Sequence, residues 1–190
     1  MLVSLLSIFG VAAALALWAI AIYNGLIKLR NMKDEAWSGI DVQLKRRSDL
    51  IPNLLESVKG YMGHERSVLE QVTSLRAQSL NAPTVGAKIA AESALTRSLG
   101  ALFAVAENYP DLKANQNFLD LQNQLSQLEN EIQMARRYYN GTVRNLNVAI
   151  ETFPNSIVAN MFNFAKAEFF EIEDEADRAV PKVKFNSTRQ

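Results

Sequence analysis

Apolar residues are concentrated at the start of the chain. Of residues 1–27, 22 are apolar, and no charged side chain precedes Lys28. The run from Leu2 to Ile22 would form a helix about 31 Å long, enough to cross a bilayer core of about 30 Å. The pattern predicts one transmembrane helix within an anchor of residues 1–27.

A cleaved signal peptide is the alternative for this segment, because Ala19-Ile20-Ala21 has the small-x-small form of a cleavage site. The segment lacks a basic n-region and is longer than an ordinary h-region, so the anchor is favoured. Lys28, Arg30 and Lys33 follow the span. This positive flank predicts a single-pass membrane protein with its C-terminal body in the cytoplasm.

Beyond the anchor, apolar positions recur at helical spacing. One stripe runs from Trp37 to Leu75 and another from Phe118 to Phe153, with an Ala-rich segment between them after a break at residues 81–86. The predicted fold is all-α: the transmembrane helix continues into an elongated antiparallel bundle of about four helices over residues 28–172. Residues 173–190 are predicted to be an acidic, then extended, tail.

Prolines and glycines modify these predicted helices. Pro52 falls inside the first long helix and predicts a kink or a split there. Gly60 and Gly63 mark a further bend. Pro154 predicts the start of a last short helix whose apolar face extends to Phe169.

Several blocks of residues resemble the LemA family, and they follow one another along essentially the whole chain. They are Ala36-Trp37-Ser38, residues 40–47, residues 49–54 with the proline inside a helix, residues 109–115, residues 135–140, Phe153-Pro154 and Phe169-Phe170-Glu171. The resemblance implies a bacterial membrane-anchored protein with a long antiparallel helical bundle. It implies no established biochemical activity.

Composition excludes several kinds of chemistry. The chain has no Cys and a single His, so thiolate sites and multi-histidine zinc sites are excluded. His64-Glu65 begins like a zinc-protease motif, but Val68 stands where the second His belongs. Twenty basic and twenty acidic residues give no net charge, which argues against nucleic acid as a partner. No cofactor is predicted.

The polar residues of segment 41–53 are the main candidates for a functional or structural polar face: Asp41, Lys45, Arg46, Arg47, Asp49 and Asn53. One interpretation is interhelical ion pairing, in which Arg47, placed within the apolar stripe, pairs with Glu129 or Glu131. The other is a surface for a partner protein, with Arg46 and Asp49 outermost. Lys28, Arg30 and Lys33 are also placed to contact anionic lipid headgroups.

The last helix is rich in Phe. Phe162 and Phe169 are expected to pack on the bundle, whereas Phe164 is expected to point outward and mark a partner surface.

The sequence favours a membrane-tethered scaffold or adaptor that binds other proteins, not yet identified, or further copies of itself. Two alternatives stay open: a signalling or stress-response module that transmits through the first helix, and an enzyme with a carboxylate site between helices. Glu129, Glu131, Glu56 and Asp49 would supply those carboxylates.

Overall fold

The computed structural model describes residues 2–63 and 65–170. Within them the chain is helical without strands, which confirms the predicted all-α class. His64 and the predicted tail at 173–190 lie outside the described residues. The helices are α1 (Leu2–Lys59), α2 (Arg66–Leu80), α3 (Val85–Ala106), α4 (Pro110–Lys113), α5 (Gln116–Glu151) and α6 (Asn155–Met161).

Helix α1 is an unbroken rod of 58 residues, about 87 Å at 1.5 Å per residue. All of residues 2–18 are exposed, and Leu2, Phe9 and Leu17 are each more than two-thirds exposed. Two described helices, α1 and α3, are long and apolar enough to span a membrane. In α3, however, the side chains of Leu95 and Leu102 are fully buried in the bundle. The membrane-spanning segment is therefore assigned to α1.

Helices α1 and α5 run antiparallel and form the axis of the bundle. Arg47 contacts Glu129, and the ring of Trp37 contacts that of Tyr139 at 5.4 Å. The residue numbers in each pair, 47 with 129 and 37 with 139, add to 176. This constant sum fixes the register of the two helices.

The half of the bundle farther from the membrane has four helices. The α2/α3 hairpin packs there against α1 and α5, around a core that includes Leu54, Val72, Leu102 and Phe118. The single stripe predicted from Trp37 to Leu75 is in fact divided between α1 and α2. The break lies between Lys59 and Arg66, where the two glycines predicted a bend.

Pro52 does not end α1, which continues to Lys59. Because proline has no N–H, the carbonyl of Ser48, four residues earlier, lacks its helical donor. Arg76 Nε of α2 donates to that carbonyl oxygen at 2.7 Å. The proline therefore creates an acceptor on α1 at which α2 docks.

The membrane-proximal half of the bundle is built differently. Helices α2 and α3 do not extend over it, and residues 162–170 lie there as a segment without regular secondary structure. The prediction of a helix reaching Phe169 was wrong: α6 ends at Met161, and Asn163 adopts a left-handed conformation at φ 57°. Side chains of α5 bind the backbone of the chain after α6. These hydrogen bonds replace the helical ones that its apolar periodicity predicts.

Candidate functional site

A buried ionic cluster joins four helices at the middle of the bundle. Arg47 of α1 is 1% exposed, and its guanidinium donates to Thr96 Oγ1 at 2.7 Å, to Glu129 Oε2 at 2.6 Å and to the Glu92 carboxylate. The other Glu92 oxygen accepts a hydrogen bond from Ser79 of α2. The interhelical pairing of Arg47 with Glu129 predicted from the sequence is therefore present, and Glu92 of α3 is a second partner.

Arg136 lies beside this cluster on α5. It is 5% exposed, and its guanidinium carbon is 4.4 Å from the centre of the Phe170 ring. Its Nε and Nη2 atoms have no hydrogen-bond partner among the described residues. Burial lowers the pKa of Arg136, while the nearby Glu129 carboxylate opposes that shift. The guanidinium stays charged at neutral pH, and the ring face of Phe170 is its principal described contact.

The six polar residues predicted from segment 41–53 do not form one surface. Arg47 is buried, and Asp41 forms an ion pair with Lys88 of α3. Arg46 lies 3.8 Å from Glu131 of α5, and Lys45 lies 3.6 Å from Asp49. Asn53 is exposed on the same helical stripe as Lys45 and Asp49. Interhelical ion pairing therefore describes Asp41, Arg46 and Arg47. The remaining residues, Lys45, Asp49 and Asn53, lie on an exposed face of α1.

An open groove runs between α1 and α5 on the side away from the α2/α3 hairpin. It has a volume of about 390 Å³ and is lined by Arg46, Asp49, Leu50, Gln124, Gln127, Leu128 and Glu131. Val42 of α1 and Met134 and Tyr138 of α5 lie on the same helical faces and are more than half exposed. We call the groove and these three residues the open seam. It combines an apolar floor with charges of both signs.

The opposite side of α5 binds the C-terminal segment. The side chain of Asn147 accepts from the Ala167 N–H at 2.9 Å and donates to the Ala167 carbonyl at 3.0 Å. Asn140 does the same for Phe170, at 2.7 and 3.1 Å. Seven helical residues span about 10.5 Å and three extended residues about 10 Å, so the two spacings match. We call this pair the asparagine clamp.

Tyr139 adds a third hydrogen bond, from its hydroxyl to the Glu168 carbonyl at 3.0 Å. Burial raises the pKa of Tyr139, and the carboxylates of Glu168 and Asp34 raise it further. The phenol therefore remains protonated and available as a donor at neutral pH. The clamp and this bond together hold residues 167–170 against α5.

The prediction that Phe164 points outward was wrong. Its ring is half-buried, 5.8 Å from that of Tyr23, and the guanidinium of Arg30 lies 5.6 Å from its centre. Because α6 ends three residues earlier, helical spacing does not set the direction of this side chain. The outward aromatic is instead Phe162, which is 52% exposed.

Of the basic residues after the span, Lys28 and Arg30 are exposed, and Lys33 pairs with Asp34 at 2.7 Å.

The four carboxylates predicted for an interhelical enzyme site do not share one site: Asp49 and Glu131 line the groove of the open seam, whereas Glu56 and Glu129 do not. Glu129 faces Arg47, Glu131 faces Arg46, Asp49 faces Lys45, and Glu56 lies 3.8 Å from Lys59. Among the described residues, no three His, Asp or Glu side chains are grouped closely enough to hold a metal ion. The groups that the structure does bring together are suited to packing and binding.

Sequence reasoning missed Glu92, the asparagine clamp and the apolar part of the open seam. Glu92 lies at a core position of an Ala-rich helix, a spacing that predicts burial but does not name a partner. Asn140 and Asn147 are seven residues apart on one face of α5. Met134 and Tyr138 are large apolar residues four apart and off the core stripe, which is the sequence signal of an exposed apolar face.

Comparisons with known proteins agree with the residue blocks noted above. A sequence model described as LemA family matches residues 36–185. Protein LemA of Metamycoplasma hominis is 30% identical over 154 residues, covering 79% of this chain and 70% of the relative. Magnetosome protein MamQ 2 of Paramagnetospirillum magneticum is 22% identical over 206 residues, covering 95% and 74%. Magnetosome protein MamQ of Magnetospirillum gryphiswaldense is 21% identical over 184 residues, covering 83% and 68%.

Proposed function

This chain belongs to the LemA family, and from that premise we propose that it is a membrane-tethered scaffold that binds another protein and catalyses no reaction. The exposed apolar third of α1 supports membrane anchoring. The positive flank of Lys28, Arg30 and Lys33 supports an inner-membrane protein with its bundle in the cytoplasm. Neither the family description nor the names of the relatives denotes an enzyme.

The open seam is the observation that carries the proposal. Val42, Met134 and Tyr138 are each more than half exposed, which is unusual for neighbouring large apolar residues on a bundle. Arg46, Asp49 and Glu131 border the groove with both signs of charge, and this combination of apolar centre and polar rim is typical of protein interfaces.

An amphipathic helix of another protein is the occupant that the geometry fits best. Two antiparallel helices form a groove along their seam, and a third helix places apolar residues into it at spacings of three and four. The other seam of the same helix pair already accepts the α2/α3 hairpin. Binding to a further copy of this chain is the competing form of the same function.

In-cell photo-crosslinking tests this function. Probes at Asp49 and Met134 report on the open seam, and a probe at Ala104, exposed on α3, is the matched control. We expect both seam probes, but not the control, to capture the same distinct protein. Met134→Glu should then abolish the adduct from position 49 while leaving the helical content unchanged.

Three outcomes would contradict the scaffold function. Capture of nothing by well-expressed seam probes, or equal capture by the Ala104 probe, removes the evidence for a binding seam. Stoichiometric metal in the purified protein would favour the enzyme alternative. Adducts to the chain itself alone would replace the heterologous partner with a homo-oligomer.

Signal transmission is a second candidate function, favoured by the continuity of α1 from the span into the bundle. A rigid helix couples a displacement at one end to the other. Pro52→Ala tests this idea, because it alters the helix without removing a side-chain contact of the core. Loss of the cellular phenotype with unchanged unfolding would support transmission, and no change in either would count against it.

A further inference from the structure

The antiparallel register places one end of the bundle at the level of the membrane surface. Facing residues of α1 and α5 have numbers that add to 176, so Phe153, just after α5, lies level with residue 23 of α1. The predicted span ends at Ile22. The rings of Tyr23 and Phe162 are 4.7 Å apart, which places the chain after α6 at the same level.

This end of the bundle exposes an unusual number of large apolar side chains. Phe153 is 76% exposed, Ile157 51%, Met161 69% and Phe162 52%. We call these four residues the apolar cap. On α6, Ile157 and Met161 are four residues apart on one face, whereas Val158 and Ala159 are buried against the bundle. Helix α6 is therefore apolar on its outer side as well as its inner side.

We propose that the apolar cap inserts into the interfacial region of the leaflet from which α1 emerges. The cap is continuous with the exposed apolar surface of the span, because Phe162 contacts Tyr23 at the end of that surface. Burial of large apolar side chains is favourable roughly in proportion to the apolar area removed from water, so four of them together favour insertion.

The charges next to the cap match a lipid surface. Lys28 and Arg30 are exposed one to two helical turns beyond Tyr23, at headgroup height, and Arg30 lies over the ring of Phe164. Basic residues at this height are attracted to anionic headgroups, and aromatic residues favour the interface. The bundle is thus attached to the membrane at two points, the span of α1 and the cap.

Site-directed spin labelling of the full chain tests the cap, since the sequence contains no native cysteine. Nitroxides are placed singly at Ile157, Met161 and Phe153, and the protein is reconstituted into vesicles of phosphatidylcholine with a minority of phosphatidylglycerol. Met134, 55% exposed and level with residue 42 of α1, is the matched control on α5. Accessibility to oxygen is compared with accessibility to a water-soluble nickel chelate.

We expect the ratio of oxygen to nickel accessibility at positions 157 and 161 to be at least several-fold higher than at Met134. A ratio equal to that of Met134 would show that the cap faces water and would overturn the proposal. Low accessibility to both reagents, with spin–spin broadening, would assign the cap to contact with a second copy instead. Position 153 lies between helices, so its label reports even where labelling of α6 disturbs that helix.

Discussion

At the scale of single residues, Arg47 decides how the bundle is held together. It is a fully buried cation whose charge is balanced by two carboxylates from different helices. Buried ion pairs often contribute little net stability, because desolvation offsets much of their attraction. Removal of Arg47 is costly, however, since the Glu92 carboxylate, 1% exposed, would remain buried and uncompensated.

Arg47→Ala should therefore destabilise the bundle by about 3–5 kcal/mol. The neighbouring Arg46 is exposed, so Arg46→Ala should cost less than about 1 kcal/mol. Urea unfolding of the full chain in detergent, followed by far-ultraviolet circular dichroism, measures both. Replacement of Arg47, Glu92 and Glu129 together by Met should restore most of the loss. Equal effects of the two single alanine variants would show that the buried cluster is not a structural tie.

At the scale of elements, Pro52 and Arg76 together attach α2 to α1, because Pro52 frees the Ser48 carbonyl and Arg76 binds it. Arg76→Ala leaves the Ser48 carbonyl without a donor and should cost about 1–3 kcal/mol. In a Pro52→Ala background the new amide N–H at position 52 supplies that donor, so the same substitution should cost less. A double-mutant cycle on unfolding free energies should give a coupling of about 1 kcal/mol. Additive effects would contradict this account.

The asparagine clamp is a second contact between elements, and it joins α5 to the C-terminal segment. Its two side chains make four hydrogen bonds to the C-terminal segment, each worth about 1 kcal/mol. Replacement of Asn140 and Asn147 by Ala should raise the population of the open segment, and tryptic cleavage after Lys166 should accelerate at least about tenfold, because cleavage follows the open population.

Asn145→Ala is the control for the clamp, because Asn145 is an exposed asparagine on the same helix. Its cleavage rate should match that of the unmodified chain. An unchanged rate in the double variant would mean that ring packing of Trp37 and Phe170, and not the clamp, holds the segment.

The elements differ in how far the sequence predicts them. The helices α1 and α5 follow from long apolar periodicities, and the pairing of Arg47 with Glu129 follows from a charge inside a core stripe. The end of α6 could not be predicted in this way. Residues 164–170 keep a helical pattern of apolar positions, but Asn140 and Asn147 of α5 bind their backbone. The same limit applies to Phe164, whose direction depends on where α6 ends. Local periodicity does not encode such long-range competition.

At the scale of the whole molecule, the continuity of α1 from the apolar segment into the bundle favours an upright rod attached to the membrane at one end. From Ile22 to Lys59 the helix rises about 55 Å along its axis, and the apolar cap lies at its base. The open seam begins near the middle of this rod. A partner helix that binds the seam would thus be held away from the lipid surface.

Labels at three glycines can measure how far successive points of the rod lie from the membrane. Gly25 and Gly39 lie on α1 and Gly60 directly follows its last residue, about 5, 25 and 55 Å beyond Ile22. A Cβ added at any of them meets no more distant part of the chain within 4 Å. Single cysteines there should accept a dye without disturbing the fold. Energy transfer from the dye to acceptor-labelled lipids should be strong at position 25, weaker at 39 and weakest at 60.

Similar transfer from all three positions would mean that the bundle lies flat on the membrane. A flat bundle would press one of its long faces against lipid headgroups. An upright rod instead leaves the open seam accessible along its whole length, which is the geometry that a scaffold requires.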